Sequence, residues 1–201
     1  MSWIKWVPYA QSKGRLRKLY DRIKGPNNYI DNIMLAHSLR PNTLAGHMQI
    51  YKNVLHHTGN KLPKSLLETI GVYVSLLNGC DYCVEHHFQG LCRLLQDDKR
   101  AHAIRDALER KAFDGIFDQR EVAMLQYAEH LTRSPADIDE SKLVAMRQTG
   151  LTDGEILEVN QVVSYFAYAN RTVLGLGIST KGDILGLSPN SSDQPDNWHH
   201  Q

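Results

Sequence analysis

Residues 79–87, GCDYCVEHH, place two cysteines three positions apart, with two histidines behind them. Cys80 and Cys83 form a CxxC pair, whose thiols can oxidise to a disulfide or bind a metal ion together. His87 follows Cys83 by four residues, so the two side chains share one face if the segment is helical. An imidazole there can accept the thiol proton or stabilise the thiolate. The segment therefore predicts cysteine chemistry.

A helix that begins at Cys80 or Asp81 and runs to about Leu95 would position these groups. Its first turn would carry both thiols, where free N–H groups and the positive end of the helix dipole stabilise a thiolate. Cys83, beside His87, is the candidate nucleophile, and Cys80 is placed to close a disulfide onto it. Asp81 opposes a thiolate by like-charge repulsion, so we expect it to face solvent.

A third group is needed to orient the imidazole, and Glu68 is the candidate. It belongs to KSLLETIGVYVSLLN (64–78), which has the period of an amphipathic helix and ends at a stop signal, Asn78-Gly79. Antiparallel packing after that stop would bring Glu68 near His87. Glu68 also lies beside the apolar stripe, where a carboxylate without a partner is unusual.

Three neighbouring residues carry weaker signals. We interpret His86 as a surface residue and Cys92 as a small buried hydrophobe with no nearby base. Tyr82 is either a contact at the helix start or a hydroxyl that lines the site.

Zinc is a competing use of the same thiols, with Cys80, Cys83 and a histidine, and His56 or His57 as a fourth ligand. No second CxxC or HxxxH cluster occurs at zinc-finger spacing, and the apolar content suffices for folding without metal. Haem attachment of the c type needs CxxCH, but position 84 is valine. We expect no metal and no cofactor.

The composition is that of a globular protein. Of 201 residues, 42% are hydrophobic and 22% are charged, and the formal net charge of +1 disfavours a nucleic-acid partner. No apolar run approaches the roughly 18–20 residues of a membrane helix, and the N-terminus lacks the apolar stretch of a signal peptide. We therefore expect a cytoplasmic protein without a membrane partner, in which a CxxC pair is more often catalytic or metal-binding than structural.

Helical periodicity recurs along the chain and predicts an all-α fold built from antiparallel helix pairs. The further helical segments are residues 41–59, 97–113, 118–134, 139–150 and 151–178. We expect one helical domain over residues 1–180, with the CxxC core at about 40–130.

Residues 181–201, rich in Gly, Pro, Ser, Asn and Asp, predict an irregular tail. Leu185, Leu187 and Trp198 could pin this tail to a neighbouring surface.

Glu68, Cys80, Cys83 and His87 reproduce the E-x11-C-x-x-C-x3-H motif, and the sequence resembles alkylhydroperoxidase D (AhpD)-like proteins of the carboxymuconolactone decarboxylase superfamily. It is most similar to a branch of uncharacterised peroxidase-related enzymes. The resemblance covers about residues 40–190 and includes three matching runs: SLLNGCDYCVEHH, YANRTVLGLGI and GDILGLSP.

The resemblance implies an all-helical fold assembled as trimers or hexamers, with a redox-active dithiol that reduces a small hydroperoxide. It implies that Cys83 attacks the peroxide, that Cys80 resolves the product, and that Glu68 and His87 relay protons. An external dithiol protein or a small thiol would restore the pair. Tyr82 departs from the best-studied type, which has a histidine there, and this departure bears on the proton route.

Two other functions stay open. One is a superfamily enzyme that acts on a small carbon acid in a decarboxylase-like role, with His87 as the base, although that role needs no cysteine pair. The other is a non-catalytic redox sensor or an oligomeric binding module.

Overall fold

The computed structural model describes residues 2–186. Within this range the chain forms nine α-helices and no strand, so the predicted all-α fold is confirmed. The helices are α1 (Gly14–Ile23), α2 (Asn32–Ala36), α3 (Pro41–Tyr51), α4 (Lys64–Leu77), α5 (Asp81–Leu95), α6 (Asp98–Arg110), α7 (Gln119–Arg133), α8 (Glu140–Gln148) and α9 (Asp153–Leu176). Short 3-10 turns lie at Tyr9–Gln11, Pro26–Asn28, His37–Leu39 and Pro135–Asp137.

Helix α4 lies at the centre of the fold and packs against α5, α7 and α9. Its apolar residues Leu67, Ile70 and Val74 are fully buried, which explains why its apolar stripe is so broad. The chain reverses after α4 through Gly79, whose φ of 66° is in the left-handed region that favours glycine. The reversal makes α4 and α5 an antiparallel pair.

Helix α9 runs across α4 and supplies another wall of the core. Thr152 and Glu155 begin it with a capping box, in which each side chain pairs with the other residue's backbone N–H. At Gly71 of α4, an added Cβ would lie 2.2 Å from the Phe166 ring. The missing side chain at Gly71 therefore allows α4 and α9 to approach closely.

The helix predicted over residues 41–59 continues to His56, but its last five residues are π-helical. Helix α3 ends at Tyr51, a π-helical turn follows at Lys52–His56, and His57 has extended backbone angles. Leu55 and His56, which belong to this wider turn, are buried. The buried His56 ring then packs edge-on against Tyr51, with centroids 4.8 Å apart.

Residues 179–186 return to the helices that carry the dithiol. Arg93 of α5 donates hydrogen bonds to the carbonyl oxygens of Leu185 and Gly186. The other two residues expected to pin the tail, Leu187 and Trp198, lie outside the described residues. Between residues 2 and 186, no helix combines the length and apolar character required to cross a bilayer.

Candidate functional site

Cys80 and Cys83 lie at the N-terminus of α5. Cys80 is the N-cap residue and Cys83 belongs to the first turn, within a helix that spans the predicted range and leaves Asp81 exposed. Both thiols are free and buried, with exposed fractions of 0% and 3%. The turn at Gly79 fixes the helix start, since the Cys80 N–H donates to the Ser75 carbonyl at 2.9 Å.

The two thiols share a hydrogen bond that makes them unequal. The pKa of Cys80 is lowered, first because the Cys83 thiol donates to its sulfur and then because the Cys83 backbone N–H also donates there. The pKa of Cys83 is raised well above its ordinary value by that same bond and by burial. Cys80 is therefore the more acidic thiol of the pair, whereas the sequence led us to expect the thiolate on Cys83.

Asn170 of α9 is a third partner of the pair. Its side chain is fully buried and hydrogen-bonds to both sulfurs, which favours the charged form of each thiol. Its own carbonyl accepts from the Asn78 side chain at 2.9 Å, and its amide donates to Ser75 Oγ at 3.1 Å. Sequence analysis did not assign Asn170, although an asparagine inside an apolar helix is an available signal.

The structure brings Glu68 and His87 together across the antiparallel pair. Glu68 Oε2 lies 2.7 Å from His87 Nδ1, and the carboxylate is 4% exposed. An added Cβ at Gly90 would lie 3.6 Å from the carboxylate, an ordinary contact distance, so the carboxylate packs directly against α5. The Phe166 ring contacts His87 edge-on, with centroids 4.6 Å apart, and holds the imidazole from the α9 side.

A cavity of about 40 Å³ lies beside Cys83, and Glu68 and His87 also line it. Its remaining walls include Tyr51 of α3 and Tyr165 of α9. Because about 10–15 Å³ of cavity volume already holds one water molecule, the cavity has room for a polar group of two oxygen atoms. Cys83 is therefore the thiol that faces a space where a small substrate group fits.

Cys80 faces a different pocket. This second pocket has a volume of about 280 Å³, and Asp81, Leu174 and Ile178 are among the residues that line it with Cys80. The start of α5 thus separates two spaces, one beside each cysteine.

His86 is not the surface residue that we expected. Its Nε2 lies 3.1 Å from Asp183 Oδ2, and its ring lies 4.5 Å from that of Tyr82. Tyr82 is buried, lines the cavity and donates to Asp183 at 2.7 Å. The returning segment that carries Asp183 buries both side chains, and its position depends on contacts far apart in sequence.

Cys92 is half-buried and packs against the core. The zinc alternative named His56 or His57 as a ligand, but His56 is buried beside Tyr51 and His57 is exposed. Across residues 2–186, no group of three or more His, Cys, Asp and Glu side chains has an arrangement that could hold a metal ion.

Residues 41–130 match the model of the carboxymuconolactone decarboxylase family. This segment contains the candidate motif from Glu68 to His87, so the match supports the resemblance drawn from the sequence. A search of curated protein sequences found no significant match.

Two solved structures of peroxidase-related proteins share the fold. One, from Ralstonia eutropha JMP134, is described as an alkylhydroperoxidase AhpD core; it is 21% identical, with a TM-score of 0.76, and the match covers 89% of this chain and 91% of that one. The other, from Silicibacter sp. TM1040, is 23% identical, with a TM-score of 0.74 and the same coverage. At these identities the likeness shows the fold alone.

The debrominase Bmp8 also has this fold. Its apo structure is 17% identical, with a TM-score of 0.66, and the match covers 82% of this chain and 85% of that one. Bmp8 has also been solved in complex with 2,3,4-tribromopyrrole. One helical scaffold therefore occurs in proteins described with different chemistries.

Proposed function

We propose that the chain is a dithiol peroxidase, on the basis of its site and of the match of residues 41–130 to the carboxymuconolactone decarboxylase family model. It reduces small hydroperoxides and forms a disulfide between Cys80 and Cys83. The main support is the hydrogen-bonded thiol pair, of which one member faces a small cavity beside the Glu68–His87 pair.

The proposed reaction begins when the Cys83 sulfur attacks the terminal oxygen of the hydroperoxide. An S–O bond forms, the O–O bond breaks, and the alcohol leaves with one proton, so that Cys83 becomes a sulfenic acid. Cys80 then attacks the Cys83 sulfur, an S–S bond replaces the S–O bond, and water leaves with the second proton. Two thiols are thereby oxidised while one peroxide is reduced to an alcohol and water.

The proton route follows from the contacts of the two thiols. Cys80 is the more acidic thiol and therefore the weaker base, so His87, which lines the cavity with Cys83, is the proposed base that takes the Cys83 proton and makes Cys83 the nucleophile. His87 lines the cavity and can return a proton to the leaving oxygen. Glu68 accepts a hydrogen bond from His87 Nδ1, which fixes the ring and leaves its other nitrogen for proton exchange.

An external dithiol, either a protein or a small thiol, is the proposed reductant. We propose that it attacks the Cys80 sulfur, because Cys80 faces the larger pocket of about 280 Å³. The attack breaks the S–S bond, forms a mixed disulfide with Cys80 and releases Cys83; the second thiol of the reductant then frees Cys80. The trimer or hexamer that the resemblance implies stays a prediction.

Two alternative reactions, debromination and a decarboxylase-like reaction, fit this site less well. Debromination, the activity for which Bmp8 is named, needs space for a brominated ring such as 2,3,4-tribromopyrrole, and the cavity beside Cys83 is about 40 Å³. A decarboxylase-like reaction with His87 as the base for a small carbon acid would not use the hydrogen-bonded cysteine pair.

The test is to add one equivalent of hydrogen peroxide or an alkyl hydroperoxide to the reduced protein. Mass spectrometry should show the loss of two hydrogen atoms from the peptide that contains residues 80–83. Turnover with dithiothreitol should be lost in Cys83→Ser and in Cys80→Ser. Cys92→Ser, which changes the cysteine outside the pair, should keep full turnover. Undiminished turnover in Cys83→Ser would remove the proposal.

A further inference from the structure

The cavity beside Cys83 has a polar wall that the proposed reaction has not used. Asp31, which immediately precedes α2, and His47 of α3 both line it. Both residues are deeply buried, with exposed fractions of 7% and 3%. Asp31 Oδ1 and His47 Nδ1 nevertheless have no hydrogen-bond partner within the described structure.

Such atoms are uncommon, because buried polar groups in folded proteins almost always have partners. Two further buried atoms without partners are found among residues 2–186, His56 Nε2 and Arg120 Nε. Neither of those residues lines the cavity. The cavity is therefore lined by two residues with unpartnered polar atoms and by Cys83, a combination expected of a site for a small polar molecule.

We propose that Asp31 and His47 bind the hydroperoxide group of the substrate, an inference that rests on the proposed peroxidase function. The terminal O–H of the peroxide donates to Asp31 Oδ1, and His47 Nδ1 hydrogen-bonds the second oxygen. These contacts hold the O–O bond against Cys83. A hydrogen bond from His47 to the second oxygen also stabilises the charge that develops there when the O–O bond breaks.

The protonation states of Asp31 and His47 are compatible with binding a neutral peroxide. Burial raises the pKa of Asp31 to about 6, although nearby His86 and His87 oppose the shift, so the carboxylate is mostly ionised and able to accept at neutral pH. Asp183 and the hydrogen-bonded Tyr29 hydroxyl also act on it. Burial lowers the pKa of His47 to about 3, so its ring is neutral. A carboxylate acceptor and a neutral imidazole match an O–H donor and an adjacent oxygen.

The size of the cavity restricts the substrate class. A volume of about 40 Å³ accepts the two oxygens of hydrogen peroxide or of a short alkyl hydroperoxide. Met34 and Ala169 also line the cavity, and a bulky substituent would have to displace side chains there. Hydrogen peroxide and small alkyl hydroperoxides should therefore react faster than hydroperoxides with bulky aromatic groups.

The experiment compares two reactions of the same thiols in single-turnover measurements. One is oxidation by hydrogen peroxide, and the other is alkylation by iodoacetamide, which needs no peroxide site. In Asp31→Asn and His47→Gln, the second-order rate constant for oxidation should fall about tenfold, the effect of losing one substrate hydrogen bond. Alkylation should stay within about twofold of wild type.

His56→Gln is the matched control, because His56 is also buried and also has an unpartnered nitrogen, yet does not line the cavity. It should oxidise at the wild-type rate. Thermal unfolding checks that each variant is folded, and Asp31→Ser replaces Asp31→Asn if that variant does not fold. Equal effects on oxidation and alkylation, or none on oxidation, would mean that the two residues do not bind the peroxide, and the inference would fail while the peroxidase proposal stands. A wild-type protein that peroxide does not oxidise would remove both.

Discussion

Asn170 of α9 hydrogen-bonds to the sulfur of Cys80 at the start of α5. Its amide group is also bonded to Asn78 and Ser75, so the contact joins the dithiol to α9 and to the end of α4. The thiol pair is thus held by three helices, and its acidity depends on a residue 90 positions away in the sequence.

Replacing Asn170 by alanine should raise the pKa of Cys80, because the thiolate loses a hydrogen-bond donor. Titration of the thiolate by ultraviolet absorbance measures this pKa, and iodoacetamide alkylation at neutral pH should slow several-fold. The variant should also lose about 1–3 kcal/mol of unfolding free energy, because buried groups of Ser75 and Asn78 lose their partner. Asn160→Ala is the control, since Asn160 lies in the same helix but bonds to Tyr127. An unchanged thiol titration in Asn170→Ala would contradict this role.

Replacing Glu68 by glutamine should slow peroxide oxidation about tenfold or more while the fold is kept. Glutamine preserves the shape but removes the charge that orients His87, and proton transfer of this kind contributes about 10²–10⁴-fold in enzymes. Single-turnover oxidation measures the effect. Glu85→Gln is the matched control, because Glu85 pairs with Arg105 away from the cavity. Equal rates in both variants would show that Glu68 is structural.

The sequence predicted those site residues that lie close to one another along the chain. Cys80, Cys83 and His87 lie within one helix, and Glu68 lies on the adjacent antiparallel helix. Helical spacing and one turn signal were therefore enough to place Glu68 beside His87.

The residues that were missed reach the site through tertiary packing. Asp31 and His47 come from segments before the motif, and Asn170 and Asp183 come from the other side of the core. No spacing rule relates them to the cysteines. His86 was misassigned for the same reason, because the segment that covers it is 97 positions away.

Replacing Gly71 by alanine should destabilise the fold by about 1–3 kcal/mol, the usual cost of overpacking a core. The new Cβ would lie 2.2 Å from the Phe166 ring and would push α9 from α4. Denaturant unfolding measures the change, and Phe166→Leu in the same protein should recover part of it. Gly46→Ala is the control: it lies in α3, has nothing within 4 Å of the added Cβ, and should be neutral or stabilising. A Gly71→Ala protein as stable as wild type would contradict the close contact.

Acid should destabilise the fold because two buried histidines resist protonation. Burial lowers the pKa of His47 to about 3 and of His56 to about 4, below the ordinary 6.5. The unfolded chain therefore binds more protons than the native state below pH 6.5, and stability falls as the pH falls, by about 2 kcal/mol per histidine at pH 5. Asp31 acts oppositely, since its pKa is raised to about 6 and the native state takes up its proton between about pH 6 and 3.8. That gain, about 1 kcal/mol between pH 7 and pH 5, offsets part of the loss.

Unfolding free energy should therefore fall by roughly 2 kcal/mol between pH 7 and pH 5, as measured by denaturant titration at each pH. His56→Gln should remove most of this fall. The variant loses the contribution of His56, and the gain from Asp31 offsets most of the contribution of His47 that remains. His130→Gln is the control, since His130 is exposed on α7 and should leave the pH dependence unchanged. Stability that is equal at both pH values in the wild-type protein, or that rises at pH 5, would show that His47 and His56 are protonated without cost in the native state.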